Sequence, residues 1–127
     1  PLNLSGGGAS LRQYVHMHDV SSAILLALNN HSNLYEEYHI SSSVNVTIKD
    51  IVNESLAFFN LDIDTAAVTI TPERPGLDHR YFLDDRKLRS LGFTNKIKFS
   101  DGLLKVKDWI SELDQSLFAK LTYIHRP

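Results

Sequence analysis

The sequence contains no cysteine, which excludes disulfide frameworks, thiolate metal sites and cysteine nucleophiles together, and makes a reducing compartment, the cytoplasm, the expected setting. An excess of charge is missing too. Thirteen basic residues stand against 15 acidic ones, so the net charge of −2 matches neither a disordered acidic tail nor the basic surface of a nucleic-acid binder. Long apolar runs are absent: the longest, Ala23 to Leu28, falls far short of the roughly 20 residues that a membrane span needs. Neither nucleic acid nor a bilayer is therefore an expected partner. The chain opens on Pro1-Leu2-Asn3-Leu4, with no basic stretch followed by an apolar one, so no secretory signal is read. A first residue other than Met points to truncation or processing. Without a signal, the N-x-Ser/Thr sequons at Asn3, Asn30, Asn45 and Asn53 carry no functional weight.

What remains is an ordinary globular composition, 43% hydrophobic and 22% charged over 127 residues, enough to bury a core but too short for a large self-contained cofactor enzyme. No repeat, low-complexity tract or linker divides it, so residues 1–127 read as a single domain. Gly6-Gly7-Gly8 marks a turn with no strand visible before it, and Leu11 to Met17 alternates as a strand would. Asp19 is placed to cap a helix whose apolar positions Val20, Ala23, Ile24, Ala27 and Leu28 share one face. Tyr35 to Ile40 is β-prone and ends in a serine loop. Thr47 then caps a helix carrying Ile48, Ile51, Val52, Leu56 and Phe59. Ala67 to Thr71 and Arg80 to Leu83 are further extended segments. Asp84 or Asp85 starts a helix that runs to Leu91 and stops at Gly92. Phe93 to Phe99 is irregular or weakly extended. Ser100 caps the last helix, with Leu103, Val106, Ile110, Leu113 and Leu117 on its apolar stripe and Trp109 beside it, a core or interface residue. Helices alternating with short strands predict an α/β or α+β domain.

Two arginines carry the first chemical pattern. Arg12 follows the triple glycine, Arg74 lies in Glu73-Arg74-Pro75-Gly76, and two guanidinium groups on separate loops suit a diphosphate; the alternative is a pair of solvated loop arginines. The glycines themselves are no dinucleotide fingerprint, because G-x-G-x-x-G would need glycine at position 11, which is Leu11. Nor does Gly-Lys-Ser/Thr follow, as a P-loop requires. His16 and His18 have the i, i+2 spacing of two metal ligands on a strand, but no third ligand has a position, so hydrogen-bonded imidazoles are the better reading; His39 stays unassigned. The acids Asp19, Asp78, Asp84 and Asp85 read as caps and loop acids rather than as general acid–base groups.

The order of these pieces resembles the C-terminal half of the extended short-chain dehydrogenases/reductases, most closely the nucleotide-sugar 4,6-dehydratases acting on dTDP- or UDP-glucose. The resemblance rests on Gly6-Gly7-Gly8 through Arg12 to Asp19-Val20, on Glu37-Tyr38-His39-Ile40-Ser41 with Thr47-Ile48-Lys49-Asp50-Ile51-Val52, and on Arg74-Pro75-Gly76-Leu77-Asp78-His79-Arg80-Tyr81, its most specific stretch. Asp84-Asp85-Arg86-Lys87-Leu88, Leu91-Gly92-Phe93 and Phe99 to Trp109 complete it, so that it covers residues 2–112.

The resemblance implies a mainly helical α/β fold with short strands that lacks the cofactor-binding half. It also implies that Arg12 and Arg74 hold a nucleotide diphosphate, with Thr47 near the nucleotide. Leu77 stands where relatives carry a histidine, and Asn3 and Ser5 stand where they carry proline and tyrosine. The family's cofactor glycine motif, Tyr-x-x-x-Lys pair and acid–base carboxylates are not in this sequence: no tyrosine is followed by lysine at the fourth position. The expected role is that of a nucleotide-sugar-binding portion, with no catalytic, cofactor-binding or metal-ligating residue of its own. NAD is implied for the full-length family, whose dehydratases oxidise C4 of the hexose, eliminate water across C5 and C6 and return the hydride to C6. The expected partner is the missing N-terminal Rossmann half or a second copy. The competing reading is a non-catalytic interaction or oligomerisation module.

Overall fold

The computed structural model describes residues 2–30, 35–64, 66, 68–114 and 116. In order they form β1 (Leu2–Ser5), a left-handed glycine turn, β2 (Leu11–Arg12), α1 (Met17–Asn30), β3 (Val46–Thr47), α2 (Ile48–Ala57), β4 (Val68–Thr71), β5 (Arg80–Tyr81), α3 (Arg86–Ser90) and α4 (Phe99–Glu112). The result is the expected α/β assembly of helices and short strands. β1 pairs in parallel with β4, Leu2 opposite Val68 through Ser5 opposite Thr71. β2 is the middle strand of a second sheet, antiparallel to β3 and parallel to β5.

A strand does precede the glycines, contrary to the sequence reading; β1 is short, and only its distant partner β4 fixes it. The expected strand Leu11 to Met17 shortens to Leu11–Arg12, because β3 and β5 each supply two residues of ladder. Tyr35 to Ile40 forms no strand, since no other strand lies beside it among the described residues. β4 and β5 fall within the expected segments, with Ala67 outside the described residues.

The helix caps divide in the same way. Thr47 caps α2 as expected, by a reciprocal box: its Oγ1 accepts from Asp50 N at 3.0 Å, and Asp50 Oδ2 accepts from Thr47 N at 2.9 Å. Asp19 is not a cap. α1 begins earlier, with His16 Nδ1 accepting from His18 N at 3.1 Å, while the Asp19 carboxylate, 1% exposed, accepts from Lys96 N and Ile97 N at 3.1 Å. Backbone donors more than 70 residues away claim it. Ser100 also fails as a cap, because α4 starts at Phe99, behind Lys98. Asp85 precedes α3 but makes no side-chain cap bond; it turns to Arg89 instead. Gly92 ends that stretch with φ 98° as expected. α2 stops at Ala57 and leaves Phe59 beyond it and exposed, and Leu117 lies outside the described residues. Trp109 is 59% exposed and belongs to no core.

The core joins α1, α3 and the segments beside them: Ala23, Leu88 and Phe93 are buried, with Leu26, Tyr38 and Ile40 packed against them. A chain of polar contacts borders it. Arg89 Nε donates to Asp85 Oδ1 at 2.8 Å, Arg89 Nη2 to Asn95 Oδ1 at 3.0 Å, and Asn95 Nδ2 to Ser41 O at 3.2 Å. Leu4 is buried separately, beneath the glycine turn.

Candidate functional site

Arg12 sits on the middle strand of the three-stranded sheet, opposite Val46 on one side and Tyr81 on the other. It is half-buried, and its Nη1 donates to Leu11 O at 2.7 Å, leaving further guanidinium donors for a ligand. Thr47 pairs with Leu11, one ladder step from Arg12. Its hydroxyl oxygen already accepts the cap bond, so toward a ligand it retains its O–H as donor.

Arg74 stands on the loop between β4 and β5 and is exposed. Leu77 N donates to Arg74 O at 3.2 Å across a turn that Gly76, at φ 76°, makes possible. Both ends of this loop are fastened to the chain around the glycines: Ser5 Oγ donates to Pro72 O at 3.1 Å, and Leu11 N donates to His79 O at 2.7 Å. Glu73 lies against Gly6 and faces His79 Nε2 at 3.3 Å. The loop that carries Arg74 is thus held to β1 and to the strand that carries Arg12.

Among the acids, Asp84 is held down at about 2 by Arg86, which donates from Nε and Nη2 to its carboxylate. Burial pushes the Asp85 carboxyl up, but hydrogen bonds from Arg89 and Ser41 and the guanidinium charge outweigh it and leave it below the usual range. Asp50 is likewise lowered, first by the Thr47 hydroxyl and then by the Thr47 backbone. Asp19, Asp84 and Asp85 are therefore engaged in structural bonds, and Asp78 is exposed. His16 serves as a helix cap, and among the described residues no three His, Asp or Glu side chains gather as a metal site would require.

The three glycines form a left-handed turn. Gly6, Gly7 and Gly8 have φ of 55°, 65° and 71°, and the space a Gly8 side chain would need is filled, Leu4 Cδ1 and Lys49 N each lying 2.8 Å from an ideal Cβ. Gly8 is closed by packing, while Gly7 has open space around it. Spacing arguments missed two contributors. Gln13, next to Arg12, donates from Nε2 to Ser42 O at 2.8 Å and accepts from Leu83 N at 3.3 Å, tying the strand end to two other segments. The Glu73–His79 contact was equally invisible, because no local pattern announces a partner on the same loop.

The chain matches a portion of the NAD-dependent nucleotide-sugar 4,6-dehydratases and epimerases among the extended short-chain dehydrogenases/reductases. It is 31% identical over 112 residues to a trifunctional UDP-glucose 4,6-dehydratase/UDP-4-keto-6-deoxy-D-glucose 3,5-epimerase/UDP-4-keto-L-rhamnose-reductase of Arabidopsis thaliana, a match covering 88% of this chain and 17% of that protein. Among solved structures, the dTDP-glucose 4,6-dehydratase of Streptomyces venezuelae, with NAD bound, gives a TM-score of 0.75 at 33% identity over 87% of this chain and 34% of its own. The UDP-glucose 4-epimerase of Thermotoga maritima, with UDP-glucose bound, gives 0.69 at 25% identity over 89% of this chain and 36% of its own. The chain therefore spans well under half of each relative. No protein-family profile matches it. No helix among the described residues is long and apolar enough to cross a membrane.

Proposed function

We propose that residues 1–127 form one domain equivalent to the C-terminal, substrate-binding half of a nucleotide-sugar 4,6-dehydratase or epimerase, acting in the cytoplasm on a dTDP- or UDP-hexose. Arg12 and Arg74 take the diphosphate oxygens and Thr47 donates nearby. The observation that carries this reading is the double fastening of the Arg74 loop, at Pro72 to Ser5 and at His79 to Leu11, which holds two arginines far apart in sequence on one scaffold. Forked guanidinium donors on such a scaffold match two phosphate groups with little ordering cost on binding. The relatives' own ligands support the substrate class. The family's cofactor glycine motif and Tyr-x-x-x-Lys pair are not in this sequence, so in this reading redox chemistry on the sugar draws on groups from the remaining part of such a fold.

An amide-resolved NMR titration with UDP-glucose and dTDP-glucose tests the proposal. Saturable shifts around Arg12, Thr47 and Arg74 that disappear in the Arg12→Ala/Arg74→Ala variant are expected. A folded chain showing no shift at millimolar ligand overturns it. A second reading, an interaction module without ligand chemistry, is favoured by one observation: Met17, Ile24, Leu25 and Leu28 are exposed along the outer side of α1, so that helix is apolar on both faces.

A further inference from the structure

The loop between β4 and β5 is tied at both ends and sparsely held in the middle. Pro72 O and His79 O accept from Ser5 Oγ and Leu11 N, but among the described residues a single backbone hydrogen bond, Leu77 N to Arg74 O, lies between those ties. Gly76 has φ 76° and open space where a side chain would stand, so nothing packs on the chain there. One side-chain contact closes the neck. Glu73 Oε2 lies 3.3 Å from His79 Nε2, across the base of residues 74–78. The same carboxylate rests on the glycine turn, its Oε1 3.2 Å from an ideal Cβ on Gly6. Glu73 immediately precedes Arg74, so fixing its side chain fixes the point from which that arginine springs. The other charges along the loop, Arg74, Asp78 and Arg80, are exposed and form no ion pair among the described residues. Ser5, Gly6 and Leu11, which meet the neck from β1, the glycine turn and β2, bring no charge. Among the described residues, His79 is thus the group at the neck whose charge changes near neutral pH.

We infer that Glu73 and His79 are positioning residues for Arg74, and that protonation of His79 strengthens the binding of a nucleotide diphosphate by closing this loop. The inference rests on the diphosphate reading of Arg12 and Arg74. A neutral imidazole with its hydrogen on Nε2 still donates to Glu73, but the imidazolium makes the stronger, charge-assisted bond. Protonation therefore favours the closed neck, and a ligand that prefers the closed neck favours protonation in turn. Affinity is accordingly highest below the titration of an imidazole, ordinarily near pH 6.5, and falls as the pH rises through it. The ligand does not titrate there, because the diphosphate of a nucleotide sugar is esterified at both ends, and both arginines stay charged. The side chains are 35% exposed at Glu73 and 65% at His79, so solvent screening limits the change to about two- to threefold.

Titration of the chain with UDP-glucose, repeated at intervals from about pH 5.5 to about pH 8, reads this directly. An affinity that falls about threefold across the range is expected. His79→Gln gives the weaker value at every pH, His79→Lys the tighter value at every pH, and Glu73→Gln a weak value without pH dependence. Without ligand, the Arg74, Gly76 and Leu77 amides shift together with the His79 ring protons as the pH changes, and in Glu73→Gln they lose that dependence. Amide spectra confirm that each variant is folded. A slope kept in Glu73→Gln means that the imidazole acts on the ligand directly, and overturns the inference. A slope unchanged by His79→Gln, or loop amides that ignore the state of His79, overturns it equally. Absence of binding at every pH overturns the diphosphate reading itself, and this inference with it.

Discussion

Gly8 shows how a single residue couples local geometry to packing. Its φ of 71° disfavours a side chain, and Leu4 and the Lys49 amide fill the space a Cβ would occupy. Gly8→Ala is therefore expected to cost about 3 kcal/mol by urea denaturation, from backbone strain and overlap together. Gly7→Ala, with open space around it, carries only the strain of about 1 kcal/mol. Asp85 makes the corresponding case for charge. It is 7% exposed, and its carboxyl lies below the usual range because the bonds from Arg89 and Ser41 exceed the cost of burial. A carboxylate with a lowered folded pKa contributes fully above its unfolded value of about 3.9, and that contribution is lost as the pH falls through the folded value. Asp85→Asn is expected to flatten this acid limb in stability measured against pH, and to cost about 2 kcal/mol near neutrality by leaving Arg89 without its anion.

At the scale of elements, the sequence speaks clearly where the partner is local. The Thr47–Asp50 box needs only residues three apart, and it was legible before the structure. Thr47→Ala is expected to lose about 1 kcal/mol of stability by chemical denaturation, while Thr47→Ser retains most of it. The apolar spacing marked α1, α2 and α4 as helices, but not which apolar side chains are covered: Ile24 and Leu28 of the expected α1 face and Val106 and Ile110 of the α4 stripe are exposed. Asp19 was not legible, because it has a cap's position and composition, but the donors it meets belong to Lys96 and Ile97. Strands show the same limit: Tyr35 to Ile40 has the right residues and the right alternation, yet a strand exists only where a neighbour completes its ladder.

For the molecule as a whole, burial is thinly distributed. Ala23, Leu88, Phe93 and Leu4 are the buried apolar residues described, while residues as large as Phe59, Ile70 and Trp109 are exposed. Stability thus leans on a few positions. Leu88→Ala is expected to cost about 3 kcal/mol, read as a lowered denaturation midpoint with an unchanged slope, because the side chain is 1% exposed between α1 and Phe93.

The sequence by itself determined the α/β class, the presence of the main helices and the α2 cap, which follow from spacing within a few residues, and made Arg12 and Arg74 candidates, with Thr47 added by the family resemblance. Only the tertiary structure decided that β1 exists, that Asp19 and Asp85 are structural ties, and that the Arg74 loop is fastened to the strands around Arg12. Those outcomes depend on backbone donors, acceptors and packing surfaces that meet across as many as 78 positions of chain, where no local pattern encodes the partner.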